Sequence, residues 1–190
     1  MANVACWYQT QLPTKMIDIL IDDIENLKPE DFLIKSKVIG VNDQSEGSLR
    51  ENIRKSKHAW IPSAHWIGGF LWHYVDRINQ ENFLYNISGY DENSIQYTQY
   101  TKDNYYKWHT DYYQREGGVR KLSFSLQLSN YDEYKGGDLQ LIDEENRMYL
   151  APKKRGSIII FDSRIRHRVR RVTEGERRSL VGWITGPNWK

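Results

Sequence analysis

Cysteine is nearly absent: Cys6 is the only one in 190 residues. An internal disulfide is therefore excluded, and so is a cysteine-based zinc site. This usage fits a reducing compartment, and a cytoplasmic protein is expected. There is no apolar run of membrane-spanning length. The start, Met-Ala-Asn-Val-Ala-Cys-Trp-Tyr-Gln, lacks the basic stretch and apolar segment of a signal peptide, so none is expected. Charge of one sign is lacking too. Lys and Arg number 27 against 25 Asp and Glu, a net charge of +2, with a pI near 8.5. That falls short of the strongly basic footprint of a nucleic-acid-binding protein. Prolines are few at five, and there is no linker, internal repeat or low-complexity tract. One domain over residues 1–190 is expected, long enough for a full hydrophobic core.

Aromatic residues are abundant, with 7 Trp and 13 Tyr. They bury large areas and also line binding grooves, so their number does not choose between core and site.

The first 82 residues read mostly as helical support. Ile17, Leu20, Ile21, Ile24 and Leu27 recur at helical spacing after Pro13-Thr14. Phe70, Leu71, Tyr74, Val75 and Ile78 mark a second helix, with Trp72 and His73 on its other faces. Between them, Ser36–Val41 reads as a short strand and residues 42–59 as an exposed loop, with His58 exposed and the loop a candidate lid. From about residue 83 the period changes to short β-type runs. These are Phe83–Ile87, Ser94–Tyr100, Tyr105–Tyr112, Lys121–Ser129, Asp138–Ile142, Met148–Ala151, Ser157–Phe161, His167–Val172 and Arg178–Thr185. Gly117-Gly118, Gly136-Gly137, Pro152–Gly156 and Glu174-Gly175 separate several of them. The fold class expected is mainly β with N-terminal helices, its core a jelly roll or barrel of two packed sheets.

Chemistry concentrates in Tyr-Tyr-Lys-Trp-His-Thr-Asp at 105–111. On a strand, residues two apart share a face, so His109 and Asp111 would project together and Thr110 away. His167 opens a later β run and offers a second imidazole. Two imidazoles and one carboxylate are the ligand set of a non-haem Fe(II) oxygenase, although zinc takes the same donors. Alternatively, the His-x-Asp triplet is a coincidence and His167 belongs to a solvated basic strand with Arg164, Arg166, Arg168, Arg170 and Arg171. His65 and His73 read as packing residues.

Arg177 lies ten residues after His167. A turn at Glu174-Gly175 would bring its strand beside the one carrying His167. An arginine there can hold a carboxylate through a bidentate fork. A cosubstrate that chelates iron at one end and is salt-bridged at the other is 2-oxoglutarate. Arg178 competes, because alternation sends one of the pair outward; spacing favours Arg177. Tyr100 and Tyr106 are candidate donors to a bound carboxylate, or ordinary strand packing.

Taken together, several segments occur in a telling order. They are Tyr100 to Asp111, Arg120-Lys-Leu-Ser-Phe-Ser-Leu-Gln127, Gly136-Gly137-Asp-Leu-Gln-Leu, Gly156-Ser-Ile-Ile-Ile-Phe, and His167 to Arg177. Over roughly 95–186 this resembles the prolyl 4-hydroxylase-like branch of the Fe(II)/2-oxoglutarate dioxygenases, in particular the bacterial and phage PKHD-type hydroxylases. The resemblance implies a double-stranded β-helix, cupin-like, with His109, Asp111 and His167 on Fe(II). It implies Arg177 on the distal carboxylate of 2-oxoglutarate, with Tyr100 and Trp183 in the cosubstrate site, dioxygen as second substrate and ascorbate as reductant. Gln127 stands where related prolyl hydroxylases often carry Tyr, and Gln127 or Ser125 would complete the pocket. Asp103-Asn104 stands where the family usually has Gly, and Asn104 tolerates the left-handed turn. The activity implied is procollagen-proline 4-dioxygenase-like hydroxylation of a peptidyl proline, in the host cytoplasm if phage-encoded. Trp108, Tyr112 and Tyr113 are candidates to stack on the substrate ring. Other readings are a nucleic-acid or small-molecule oxygenase of related fold, and a non-catalytic jelly-roll binding module.

Overall fold

Alternation along the central strands sorts residues onto two faces of one sheet. Leu122, Phe124 and Leu126 point to one side, and Ser123, Ser125 and Gln127 to the other. The computed structural model describes residues 7–37, 51–116 and 118–189. In chain order the strands are β1 (Trp7–Gln11), β2 (Ile34–Lys35), β3 (Arg54–Lys55), β4 (Lys57–Pro62), β5 (Gly89–Tyr90), β6 (Ser94–Tyr100), β7 (Tyr105–His109) and β8 (Gln114–Arg115). There follow β9 (Gly118–Gln127), β10 (Tyr134–Gly136), β11 (Leu139–Ile142), β12 (Met148–Leu150), β13 (Ser157–Asp162), β14 (Arg166–Val169), β15 (Val172–Gly175) and β16 (Arg177–Gly186). Two helices, α1 (Thr14–Asn26) and α2 (Trp66–Ile78), precede most of them.

The larger sheet runs β1-β13-β9-β16-β6-β4-β2, with β5 and β8 on its margins. The smaller runs β12-β11-β14-β7-β3, and β10 pairs with β15 apart from both. Neighbours in both are antiparallel. The helices cover the outer face of the larger sheet. Leu20, Ile24, Leu71 and Val75 pack there with Ile95, Tyr97, Phe124, Ile158, Leu180 and Ile184 in one core. Each such side chain removed from water contributes about 1.5–3 kcal/mol. A second, smaller core of Tyr100, Leu139, Leu141, Ile159, Phe161 and Val169 lies between the sheets. The jelly-roll architecture expected from the strand spacing is therefore present. The inner face of the larger sheet is unusually polar, carrying His58, Gln96, Thr98, Ser123, Ser125, Gln127, Arg177 and Ser179, all buried.

Several expectations need correction. The N-terminal helices are present, but Trp7–Gln11 ahead of them is a strand, paired in full register with Trp7 opposite Phe161 and Gln11 opposite Ser157. The loop placed at 42–59 holds strands β3 and the start of β4, with Arg54, Ser56 and His58 buried rather than exposed. Its part at 42–50, and residues 38–41 of the strand expected at 36–41, lie outside the described residues; the strand nearby is Ile34–Lys35. Phe83 ends a helical turn, and Phe83–Ile87 forms no strand. Asp103, not Asn104, takes the left-handed conformation, at φ 67°. The Gly175 turn exists, at φ 70°, but it does not lay β16 beside β14. β15 leaves to pair with β10, and β16 enters the larger sheet between β9 and β6. Arg177 and His167 thus sit in facing sheets.

Candidate metal centre and its two pockets

β14 and β7 are neighbours in the smaller sheet, and their register sets His167 directly opposite His109. β7 ends at His109, so Asp111 does not reach the site by strand alternation. Its backbone N–H instead donates to the Ser163 carbonyl at 2.9 Å, which turns the chain as it leaves the strand. The result is a cluster whose three ligand atoms lie within 4.8 Å of one another. His109 Nε2 is 3.6 Å from Asp111 Oδ1, and His167 Nε2 is 3.3 Å from Asp111 Oδ2.

The donor set suits a divalent cation. Each imidazole Nδ1 faces a backbone carbonyl two residues before it, Lys107 for His109 at 2.7 Å and Ile165 for His167 at 2.9 Å. Nδ1–H donation to those carbonyls places the lone pair on Nε2, at the cluster, which is the tautomer a metal needs. Burial, and then the neighbouring His167, pushes His109 down to about 4, so it is neutral near pH 7. Burial alone would raise Asp111, but His167 and His109 beside it hold its carboxyl well below the usual range. His167 is held above its usual value because the attraction of Asp111 outweighs burial; a bound cation would displace that proton. The Tyr106 ring stacks on His109 at 3.5 Å, and the Phe161 ring meets His167 edge-on at 4.8 Å. Both imidazoles are thus fixed by packing as well as by hydrogen bonds. The basic stretch 164–171 is divided by alternation. His167 and Val169 turn inward, while Arg168 turns outward to Gln140 and Trp108.

Arg177 is 3% exposed and has no carboxylate partner among the described residues. It donates to Ser179 Oγ at 3.1 Å and lies within hydrogen-bonding reach of the Tyr134 hydroxyl. Tyr100 is opposite it in register, with its ring 5.7 Å from the guanidinium. Ser125, Gln127 and Tyr134 line the same small pocket. Gln127 Nε2 donates to the Tyr134 hydroxyl at 3.0 Å. Tyr134 was not foreseen. It stands on β10, a three-residue strand in a turn-rich stretch, where periodicity carries little signal. Arg178, the alternative, turns to the helix side and meets Glu25 at 3.6 Å.

Trp183 is not in the Arg177 pocket. With Asp111 it lines a larger cavity of about 680 Å³ that also includes Arg54, His58, Trp60, Gln96 and Tyr106. Tyr112 and Tyr113 line this cavity, whereas Trp108 does not. The guanidinium of Arg168 covers the Trp108 ring at 4.5 Å on the outer face of the smaller sheet.

A jelly roll that places two imidazoles and a carboxylate between its sheets, with a buried arginine facing them from the other sheet, defines a 2-His-1-carboxylate oxygenase architecture. Residues 95–185 match the sequence model of the 2OG-Fe(II) oxygenase superfamily. A PKHD-type hydroxylase of Parvibaculum lavamentivorans is 39% identical over 87 residues, which cover 46% of this chain and 39% of the relative. One from a Synechococcus strain is 41% identical over 83 residues, 44% of this chain and 37% of the relative. The chain thus spans about two fifths of the length of the curated relatives it matches. Among solved structures, a Pseudomonas putida prolyl-4-hydroxylase is similar in fold with a TM-score of 0.73 and 20% identity, covering 96% of this chain and 94% of its own. A Trichoplax adhaerens prolyl hydroxylase, solved with a hypoxia inducible factor peptide fragment, gives a TM-score of 0.78 at 18% identity, covering 97% and 85%. The superfamily and the His-Asp-His cluster imply Fe(II) and 2-oxoglutarate as cofactors. Among the described residues no helix is long and apolar enough to cross a membrane.

Proposed function

We propose that the protein is an Fe(II)- and 2-oxoglutarate-dependent dioxygenase that hydroxylates a C–H bond of a peptidyl proline. The observation that carries the reading is the His109, Asp111 and His167 cluster, whose Asp111 lines a 680 Å³ cavity. His109, Asp111 and His167 would hold the metal, and Arg177 with Tyr100, Tyr134 and Gln127 would hold the distal carboxylate of 2-oxoglutarate. Metal and cosubstrate together supply the activation of dioxygen for insertion of one oxygen atom.

The chain's own residues bind, orient and shield. The two backbone carbonyls aim Nε2 of each imidazole at the cluster. Phe161 and the Tyr106 ring keep water from the imidazole faces. Arg177 neutralises an anion where no protein carboxylate is described. Tyr112, Tyr113, Trp60 and Trp183 give the cavity the aromatic walls that a pyrrolidine ring packs against. The proline target is supported by the fold shared with prolyl hydroxylases, and hydroxylation by the PKHD-type relatives. We also read residues 1–190 as one domain, acting on a peptide or protein substrate in the cytoplasm, with ascorbate as reductant.

The test is an anaerobic titration with Fe(II) and 2-oxoglutarate, followed by succinate release on exposure to air with a panel of proline-containing peptides. A mass gain of one oxygen on a peptide is the expected result, absent with Asp111→Ala. Succinate release by Asp111→Ala at the wild-type rate would overturn the metal assignment.

A further inference from the structure

Three arginines among the described residues are buried: Arg54 at 6% exposure, Arg120 at 9% and Arg177 at 3%. Arg120 is neutralised by Asp91, Nη2 to Oδ2 at 2.6 Å. Arg177 is assigned above to the cosubstrate. Arg54 has no such account. It enters the metal-site cavity from β3 and has no carboxylate partner among the described residues. Its Nε donates to Ser56 Oγ at 2.9 Å and its Nη2 to Gln96 Oε1 at 2.7 Å, both neutral groups. Those bonds take two of its five N–H groups. A buried guanidinium without a counter-charge is costly, and such sites are kept where an anion arrives to fill them.

Of the other charges of the cavity, Arg115 is paired with Glu92 at 2.5 Å, Lys37 and Glu116 are exposed, and Asp111 belongs to the metal cluster. His58 faces the Ser36 hydroxyl at 3.0 Å and is kept neutral, because burial pushes it down to about 4. Arg54 also lies close to the chemistry. Its guanidinium sits 4.9 Å from the Tyr106 ring centre, and that ring stacks on His109. Trp183, which lines the same cavity, has a buried indole N–H with no hydrogen-bond partner among the described residues. A charged donor with unfilled N–H groups thus lines a space large enough for a residue and its neighbours.

We propose that Arg54 is a specificity residue that binds a carboxylate of the substrate close to the carbon to be hydroxylated. This rests on the oxygenase reading and narrows its substrate to a proline compound with a nearby carboxylate. Two sources share that chemistry: a free C-terminus, or an acidic side chain beside the target.

The experiment compares matched probes by calorimetry on protein loaded with Mn(II) and 2-oxoglutarate. One arm uses acetyl-Gly-Pro-Gly as free acid and as carboxamide. The other uses acetyl-Gly-Pro-Asp-Gly-amide and its Asn counterpart. The acid of at least one arm should bind wild type about tenfold tighter than its neutral partner, and the arm identifies the source. Arg54→Gln should reduce that ratio to near one, and Arg54→Lys should retain part of it. Melting curves report whether both variants fold. If Arg54→Gln does not, the wild-type ratio and the Lys variant decide. Equal binding of acid and neutral probes, an acid preference that survives Arg54→Gln, or no binding of any probe would overturn the proposal. Succinate release by the wild type is measured alongside. Its absence counts against the oxygenase reading, whereas normal release with acid–neutral parity counts only against Arg54.

Discussion

Replacing Arg177 by Gln separates a binding role from a structural one, because the two predict opposite effects on the ligand-free protein. Arg177 is buried, hydrogen-bonded to Ser179 and without a carboxylate partner among the described residues. A structural arginine in that position would be held by a counter-charge, and deleting it would cost about 3–5 kcal/mol. A cosubstrate anchor instead carries an unrepaid desolvation penalty until its ligand arrives. Arg177→Gln should therefore leave the melting temperature of the ligand-free protein unchanged or raised. In the complex it loses a charge-assisted fork, two hydrogen bonds at about 1.5–3 kcal/mol each, of which Gln recovers one neutral bond. A net loss of about 3 kcal/mol is a Kd for 2-oxoglutarate weakened by roughly two orders of magnitude. The assay is thermal melting with Mn(II) in place of Fe(II), across a 2-oxoglutarate series. At 100 times its Kd the wild type gains about 2.7 kcal/mol, and the variant at the same concentration gains about 0.4 kcal/mol. Arg177→Lys keeps the charge but not the fork and should fall between. A ligand-free variant destabilised by several kcal/mol, or one stabilised by 2-oxoglutarate as the wild type is, would refute the reasoning.

Tyr134→Phe removes the hydroxyl shared by Gln127 and Arg177, and the Kd for 2-oxoglutarate should rise about three- to tenfold with little change in melting temperature. His58 is depressed in the folded state to about 4 from an unfolded 6.5, so the unfolded chain binds the extra proton. Its contribution is complete above pH 6.5 and is lost as pH falls toward 4, about 1–3 kcal/mol after allowing for partial screening. Urea denaturation from pH 4 to 7 should show that slope in the wild type, reduced in His58→Gln. Gly182→Ala sets a methyl group 2.4 Å from the Phe124 ring and should cost about 1–3 kcal/mol in the same assay. Trp108→Ala should leave peptide KM within twofold, since Arg168 covers that ring outside the cavity.

The strands of the second half were legible because each crosses a sheet with one apolar and one polar face. Ser94–Tyr100 was placed to the residue, and Ser157–Phe161 fell one short of its end. β1 was not legible. Trp-Tyr-Gln-Thr-Gln has no clean alternation, and what makes it a strand is the edge of β13, about 150 residues away in sequence. β3 was missed for the same reason. Arg54 and Lys55 read as surface charge, and only pairing with β7 shows one of them to be buried. The turn at Gly175 was visible, but its consequence was not. A glycine at φ 70° reverses the chain without saying which sheet receives it.

For the site the division is chemical. His109, Asp111, His167 and Arg177 stood out because each is an unusual residue type for a strand that also reads as core. Tyr134, Arg54 and Gln96 carry no such mark, and their meaning lies in what the neighbouring strands leave unpaired. The inner face of the larger sheet shows why. Of its buried groups, Ser125, Gln127 and Arg177 gather around one pocket, and His58, Gln96 and Trp183 around the other. A β-sandwich interior stabilised by burial alone would be apolar there, as the helix-covered face is. Both pockets hold an arginine with no carboxylate partner among the described residues, Arg177 from the larger sheet and Arg54 from the smaller. Alternation alone finds the positions of this inner face without distinguishing their purposes.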